Sequence, residues 1–310
     1  MTKLEKVKKI IPKIVIPLDL ELFPDQIARI KKLGDVKFYN DWAKSPDDWF
    51  DRVKDADIIC GGKFGLKERY QDLEDVFISL PFVGTGFFDK DILRKRNIVV
   101  SRSPGCNKVA VSEWIVGMIF NLLRRLPFYI NNSTLENHLP PVEESLKDKH
   151  VVILGQGDVG SRVGNICKAL EMEVSYFKRN DNLLNSVKNA DVIVDALSSN
   201  PSTKGLLNEK FFLSLKKGSY FITVTGTEIY DTEAIIKALD KEILAGAAMD
   251  AGSIKVGDTA DPYYQTLLKH PKILATPHIA YNTWNTKRVA NDMMIDNVEA
   301  WLNKKPINLV

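Results

Sequence analysis

The chain has 310 residues, 45% of them hydrophobic and 27% charged, an ordinary balance for a globular protein long enough to hold two domains. A net charge of +3, with the basic residues spread out, argues against a nucleic-acid partner, and the early lysines (Lys3, Lys6, Lys8, Lys9) read as a solvated end. No apolar run is long enough to span a membrane and no signal-peptide core is present, while three scattered cysteines and four scattered histidines suit a reducing cytoplasm and leave neither a disulfide framework nor a structural zinc.

Short β-branched runs alternate with amphipathic segments, the pattern of parallel α/β architecture. Residues 13–17 read as a first strand and 23–32 as the helix behind it. Strands follow at 56–60, closed by Gly61 and Gly62, at 77–83 and at 98–100. Residues 113–123 are apolar nearly all the way round, so as a helix they must be covered on every side, by this chain's core, by a second subunit, or by both. Residues 131–144, with two adjacent prolines, read as a surface arm. A second α/β unit starts at His150 and runs to about Tyr281; a helix over 283–302 and an apolar tail at 306–310 then pack back on the first unit. The expected domains are therefore 1–107 with 283–310, and 108–282.

The most informative motif opens the second unit. The aliphatic run 151–154 is a buried parallel strand, and Gly155, Gln156, Gly157, Asp158, Val159 and Gly160 follow it directly, with a helix over 161–170. G-x-G-x-x-G alone is a loose pattern, but the strand before and the helix after supply the frame of a dinucleotide site. Gly155 allows the tight turn, Gly157 lets a pyrophosphate approach the backbone, and Gly160 lets the helix sit close to the sheet. The helix N-terminus then offers N–H groups to the phosphates. The next strand, 173–177, ends in Lys178 and Arg179, where an NAD-specific site would carry a carboxylate for the ribose 2′-hydroxyl. Two cations there favour a 2′-phosphate and so NADP; Asp181 nearby keeps NAD as the alternative.

Together with these features, four further stretches make the sequence resemble the D-2-hydroxyacid dehydrogenase family, in particular its glyoxylate/hydroxypyruvate reductases. They are residues 84–91 (GTGFFDKD), 103–113 (SPGCNKVAVSE), 176–179 (YFKR) and 276–280 (TPHIA), in collinear order. The resemblance implies two doubly wound parallel-sheet domains, a flavodoxin-like substrate domain and a Rossmann cofactor domain, usually paired as a homodimer. It implies hydride transfer between NADP(H) and a 2-keto or 2-hydroxy acid. On this sequence the family's cofactor contacts fall on Gly155, Gly157, Asp158, Val159, Gly160, Lys178, Arg179, Ser198, Val224, Thr225, Gly226, Asp250 and His278. Asp250 matches the aspartate that binds the carboxamide. Gly61 and Gly62 fall at the loop whose open N–H groups bind the substrate carboxylate.

The family's catalytic set is an arginine, a glutamate and a histidine. His278 matches the histidine, the general acid/base, but Gly226 stands at the arginine position and Lys255 at the glutamate position. No arginine lies between Arg179 and Arg288 to make good the loss. A glycine cannot clamp a carboxylate, and a lysine beside the imidazole favours its neutral form. Lys255 is either a substitute partner for the substrate carboxylate or a solvated cation. Two functions stay open: a diverged NADP-dependent reductase, weak on the family's ordinary substrates and using His278 with Lys255, or a dinucleotide-binding sensor or partner-binding protein without turnover.

Overall fold

Residues 11–131 and 143–310 are described by the computed structural model, without the side chains of Phe128, Ile130 and Asn131. All but three residues of the expected surface arm lie outside the described residues. The chain divides into two compact units, one ending at Asn107 and completed by Thr283–Val310, the other Lys108–Asn282.

The first unit is built on five parallel strands: β1 (Lys13–Ile16), β2 (Asp35–Phe38), β3 (Ile58–Cys60), β4 (Phe77–Ser79) and β5 (Val99–Ser101). Their order, β2-β1-β3-β4-β5, is the flavodoxin-like winding. β3 and β4 are buried at every position because helices cover both faces of the sheet. One cover comes from the far end of the chain. Helix Trp284–Leu302 buries Met294, Ile295 and Val298 against Ile14, Ile16, Ile58 and Phe77, and Trp301 stacks on Phe77 at 4.6 Å. The tail then lies antiparallel along the edge strand: Val310 N–H donates to Val100 O (3.1 Å) and Arg102 N–H to Asn308 O (3.0 Å).

The second unit holds six parallel strands: β6 (His150–Leu154), β7 (Glu173–Phe177), β8 (Val192–Asp195), β9 (Ser219–Thr223), β10 (Leu244–Asp250) and β11 (Ile273–Thr276). They run in the order β11-β10-β9-β8-β6-β7. β6 therefore has β7 on one side and β8 on the other, which makes its C-terminal end the topological switch point, where ligands of open α/β sheets bind. The Rossmann order 3-2-1-4-5-6 carries one more strand beyond β7. Here the short helix Leu183–Val187 leads straight from β7 to β8.

Helix Lys108–Leu123 lies on one face of this sheet and starts five residues before the apolar run. Ile115, Ile119 and Leu123 are buried with Val151, Ile153, Val163 and Cys167. Among the described residues nothing fully covers its opposite side: Val116 and Gly117 are half-buried, and Phe120 is 37% exposed.

Candidate functional site

Every candidate residue of the second unit lies at the C-terminal end of a strand or in the segment that follows it. After β6 the chain turns at Gly155, whose φ of +102° is left-handed and whose missing Cβ would sit 2.6 Å from Ala196 O. Helix Asp158–Ala169 begins immediately afterwards. A Cβ on Gly160 would overlap Gly155 O, so only glycine lets the helix start this close to the strand end. Gly157 is the N-cap and supplies no side-chain acceptor, which leaves first-turn N–H groups available to phosphate oxygens. Open space surrounds the Gly157 Cα. Asp158 is exposed and Val159 half-buried.

After β7, Asp181 accepts Lys178 N–H at 2.9 Å and returns its own N–H to Lys178 O at 2.9 Å. This carboxylate thus closes a turn. Lys178 and Arg179 are exposed, and among the described residues neither has an ion-pair partner.

β8 ends in a residue the sequence analysis did not single out. Asp195 is fully buried and accepts the Thr225 hydroxyl (2.6 Å), the Thr223 hydroxyl (2.9 Å) and Leu197 N–H (3.2 Å). Burial pushes its carboxyl up to about 6; these donors oppose the rise and the nearby Glu228 charge adds to it. An acid closing the apolar run Val192-Ile193-Val194 is the signal that could have drawn attention to it. Ser198, just beyond, is exposed, and its carbonyl accepts the Thr203 hydroxyl at 2.8 Å.

The loops after β9, β10 and β11 are joined to one another. Thr227 N–H donates to the Ser253 hydroxyl at 2.8 Å and their hydroxyls lie 2.9 Å apart. Val224 N–H reaches Asp195 O at 3.4 Å. Gly226 is buried, and the Glu228 carboxylate lies where a Gly226 side chain would begin. Asp250, at the end of β10, commits both oxygens: Oδ1 accepts the Thr276 hydroxyl (2.7 Å) and Ile279 N–H (2.8 Å), and Oδ2 accepts Ala280 N–H (2.9 Å). It thereby shapes the loop that carries His278.

His278 has a left-handed φ of +57° and donates its backbone N–H to Thr276 O at 3.0 Å. Its Nδ1 lies 3.0 Å from Ile254 O. A carbonyl can only accept, so Nδ1 carries the proton and Nε2 is left for other partners. The imidazole therefore rests on a backbone carbonyl and not on a carboxylate. Lys255, the next residue, is exposed, and among the described residues no hydrogen bond or ion pair joins it to His278. The sequence-based picture of Lys255 as the imidazole's neighbour needs that adjustment.

In the first unit, Gly61 and Gly62 follow β3. Gly61 N–H continues the parallel ladder to Ser79 O (3.3 Å), so of the two N–H groups expected to be open, this one is engaged. Cys60 and Cys106 lie in this unit and Cys167 in the other; all three thiols are buried, and burial pushes that of Cys60 up to about 12. Among the described residues no group of side chains could hold a metal ion, and no helix is long and apolar enough to cross a membrane.

Residues 116–280, more than half of the chain, match the sequence profile described as D-isomer specific 2-hydroxyacid dehydrogenase, NAD binding domain. The chain belongs to the D-isomer specific 2-hydroxyacid dehydrogenase family. D-3-phosphoglycerate dehydrogenase of Escherichia coli (strain K12) is 29% identical over 252 residues, 74% of this chain and 60% of that protein; the match leaves out two-fifths of the relative. A putative 2-hydroxyacid dehydrogenase of Haemophilus influenzae is 24% identical over 313 residues, 94% of this chain and 98% of that one. Among solved structures, an acyclic imino acid reductase in complex with NADPH and D-Arg superimposes with a TM-score of 0.82 at 20% identity, over 96% of this chain and 99% of that one. At that identity the likeness is one of fold, and it extends over 96% of the chain.

Proposed function

We propose that this member of the family is an NADP(H)-dependent reductase of the 2-keto/2-hydroxy acid type, weak on the family's ordinary 2-keto acids. The carrying observation is that the glycine turn after β6 and a left-handed His278 with its Nδ1 proton committed stand at the same edge of one parallel sheet. When bound, the cofactor supplies the hydride. The residues present fit a dinucleotide: the turn at Gly155, Gly157 and Gly160 leaves the backbone bare at a helix N-terminus. In this reading Ser198, Val224, Thr225 and Gly226, which follow β8 and β9 at that edge, contribute cofactor contacts, and Asp250 at the end of β10 serves the carboxamide. Lys178 and Arg179 hold the 2′-phosphate in this reading; their exposure after β7 and the engagement of Asp181 in its own turn support NADP over NAD. The solved imino acid reductase of the same fold carries NADPH.

His278 acts as the acid, holding a proton at Nε2 for the substrate oxygen. Gly61 and Gly62 contribute to the substrate carboxylate, chiefly through Gly62 N–H. Gly226 offers no cation, and the Glu228 carboxylate over it repels a carboxylate substrate. That feature is also what favours the second reading, a dinucleotide-binding protein without turnover. The face around Phe120, exposed among the described residues, supports a homodimer through helix Lys108–Leu123, and three free buried cysteines suit the cytoplasm.

Titration with NADPH and NADH, followed by an NADPH-oxidation screen over glyoxylate, hydroxypyruvate, pyruvate and bulkier 2-keto acids, tests the proposal. NADPH binding with slow turnover supports it. Absence of NADPH binding refutes it, and binding with no turnover of any 2-keto or 2-imino acid leaves the non-enzymatic reading.

A further inference from the structure

The rim formed by the loops after β9, β10 and β11 presents two ionised side chains without partners. Glu228 and Lys255 are exposed, and among the described residues neither side chain forms an ion pair or a hydrogen bond. Both are close in sequence to the joints of the rim. Thr227, which precedes Glu228, is bonded to Ser253; Ile254, which precedes Lys255, is bonded to the His278 ring. The Glu228 carboxylate is folded against the Cα of Gly226, and beneath that loop the buried Asp195 holds Thr225. The rim next to His278 thus offers an anion on the β9 loop and a cation on the β10 loop.

Reduction of a ketone builds negative charge on oxygen and needs a cation or a proton donor in place. A carboxylate at Gly226 works against that, and the group behind the His278 ring is a backbone carbonyl and not a carboxylate. Reduction of an iminium has the opposite demand. Its nitrogen arrives positive, and an adjacent carboxylate stabilises it before reaction.

We propose that the compound reduced is a 2-imino acid, the iminium formed between a 2-keto acid and an amine, with Glu228 facing the iminium nitrogen and Lys255 the carboxylate. The assignment rests on the reductase reading above and deepens it. In the step, C2 accepts a hydride from the reduced nicotinamide and the C=N π pair withdraws onto nitrogen as a lone pair. The nicotinamide is oxidised and the carbon reduced, and no proton has to move until the product amine exchanges with solvent. Glu228 is the specificity-determining residue: it selects a dipolar substrate over one that carries negative charge alone.

Two measurements test this on the full chain. The protein saturated with NADP+ is titrated calorimetrically with alanine and with lactate, and NADPH oxidation is followed with pyruvate or glyoxylate, with and without ammonium or methylamine, the products being identified by mass. Alanine is expected to bind at least tenfold more tightly than lactate. Amine should raise NADPH consumption at least tenfold and yield the amino acid. Glu228→Gln should abolish both preferences while leaving the Kd for NADPH unchanged. Equal binding of alanine and lactate, with 2-keto acids reduced to hydroxy acids at the same rate with or without amine, overturns the inference and leaves the reductase reading standing. Turnover of imino acids unaltered in Glu228→Gln removes Glu228 from the proposal. Failure to bind NADPH at all removes the reductase reading itself.

Discussion

The Asp195 carboxylate lies 2.6 Å from the Thr225 hydroxyl, and this contact ties the end of β8 to the loop that follows β9. The same carboxylate holds Leu197 N–H, one residue beyond the Ala196 carbonyl on which Gly155 packs. One buried acid thus fixes both the floor of the dinucleotide turn and the loop that carries Gly226.

That acid should leave a signature in stability. Burial raises the Asp195 carboxyl from an ordinary 3.8 to about 6, so the folded state holds its proton more tightly than the unfolded chain. The contribution is full below about pH 3.8 and is lost as pH rises through about 6. Roughly two pKa units correspond to about 3 kcal/mol, an order-of-magnitude figure. Asp195→Asn removes the titration. Denaturant unfolding from pH 4 to 7 should therefore show the unmodified protein losing stability relative to the variant. Parallel curves for the two proteins would contradict the assignment.

Gly160 and Gly157 separate folding from binding. Alanine at Gly160 overlaps Gly155 O and has nowhere to relax, so unfolding should shift by about 1–3 kcal/mol and dinucleotide binding should be lost with it. Alanine at Gly157 meets open space and should fold normally, yet weaken NADPH binding because its methyl enters the room left for the pyrophosphate. Thermal unfolding and calorimetric titration of the two variants check both halves.

Much of this was legible in the sequence because it rests on local pattern. The aliphatic run before Gly155 and the spacing of the glycines announce a strand, a tight turn and a helix start without tertiary information, and the structure has all three. Elements with little apolar content were less visible: β2 (Asp35–Phe38) alternates exposed and half-buried positions, and helix Pro46–Val53 is marked mainly by the Ser45 cap that accepts Asp48 N–H. The run 77–83 overestimates β4, which ends at Ser79, since a buried Leu80 and half-buried Phe82 and Val83 continue the apolar pattern into the loop. The partners of His278 and Gly226 were out of reach. They depend on where the Ile254 carbonyl and the Glu228 carboxylate fall after folding, and no periodicity encodes that.

The cofactor preference should reside in two side chains. Replacing Lys178 and Arg179 together by alanine should cut the preference for NADPH over NADH by roughly 1.5–3 kcal/mol, about 10- to 150-fold, the range for charge-assisted hydrogen bonds. Fluorescence titrations with both dinucleotides measure it. Equal affinities in the unmodified protein would rule out a 2′-phosphate site there.

The face of helix Lys108–Leu123 that is exposed among the described residues predicts a symmetric pair. Phe120→Glu places a charge at its most exposed apolar position and should shift sedimentation from dimer to monomer at micromolar concentration, with little change in the unit's own core. A monomer in the unmodified protein would leave Phe120 as an isolated exposed side chain.

Gly226 is where the two chemistries should be exchangeable. An arginine at this position begins in the space now occupied by the Glu228 carboxylate, which is the free end of an exposed side chain and can swing away at small cost. Once displaced, Glu228 becomes an ion-pair partner for the new guanidinium. Gly226→Arg alone should therefore be partly masked, and Gly226→Arg with Glu228→Gln should not. Adding Lys255→Glu puts a carboxylate in place of the cation one residue after the carbonyl that holds the His278 ring. The triple variant should gain on the order of tenfold or more in kcat/KM for glyoxylate or pyruvate, since each restored electrostatic contact acts on the transition state, though contacts on one substrate will not add fully. In the same variant the rate with 2-imino acids should fall, because the anion facing nitrogen is gone. Steady-state kinetics on both substrate classes with one enzyme preparation decides the matter. A rise for both would mean that the arginine merely improves binding, and a fall for both in a protein that still binds NADPH would mean that Gly226 serves the backbone and not the substrate.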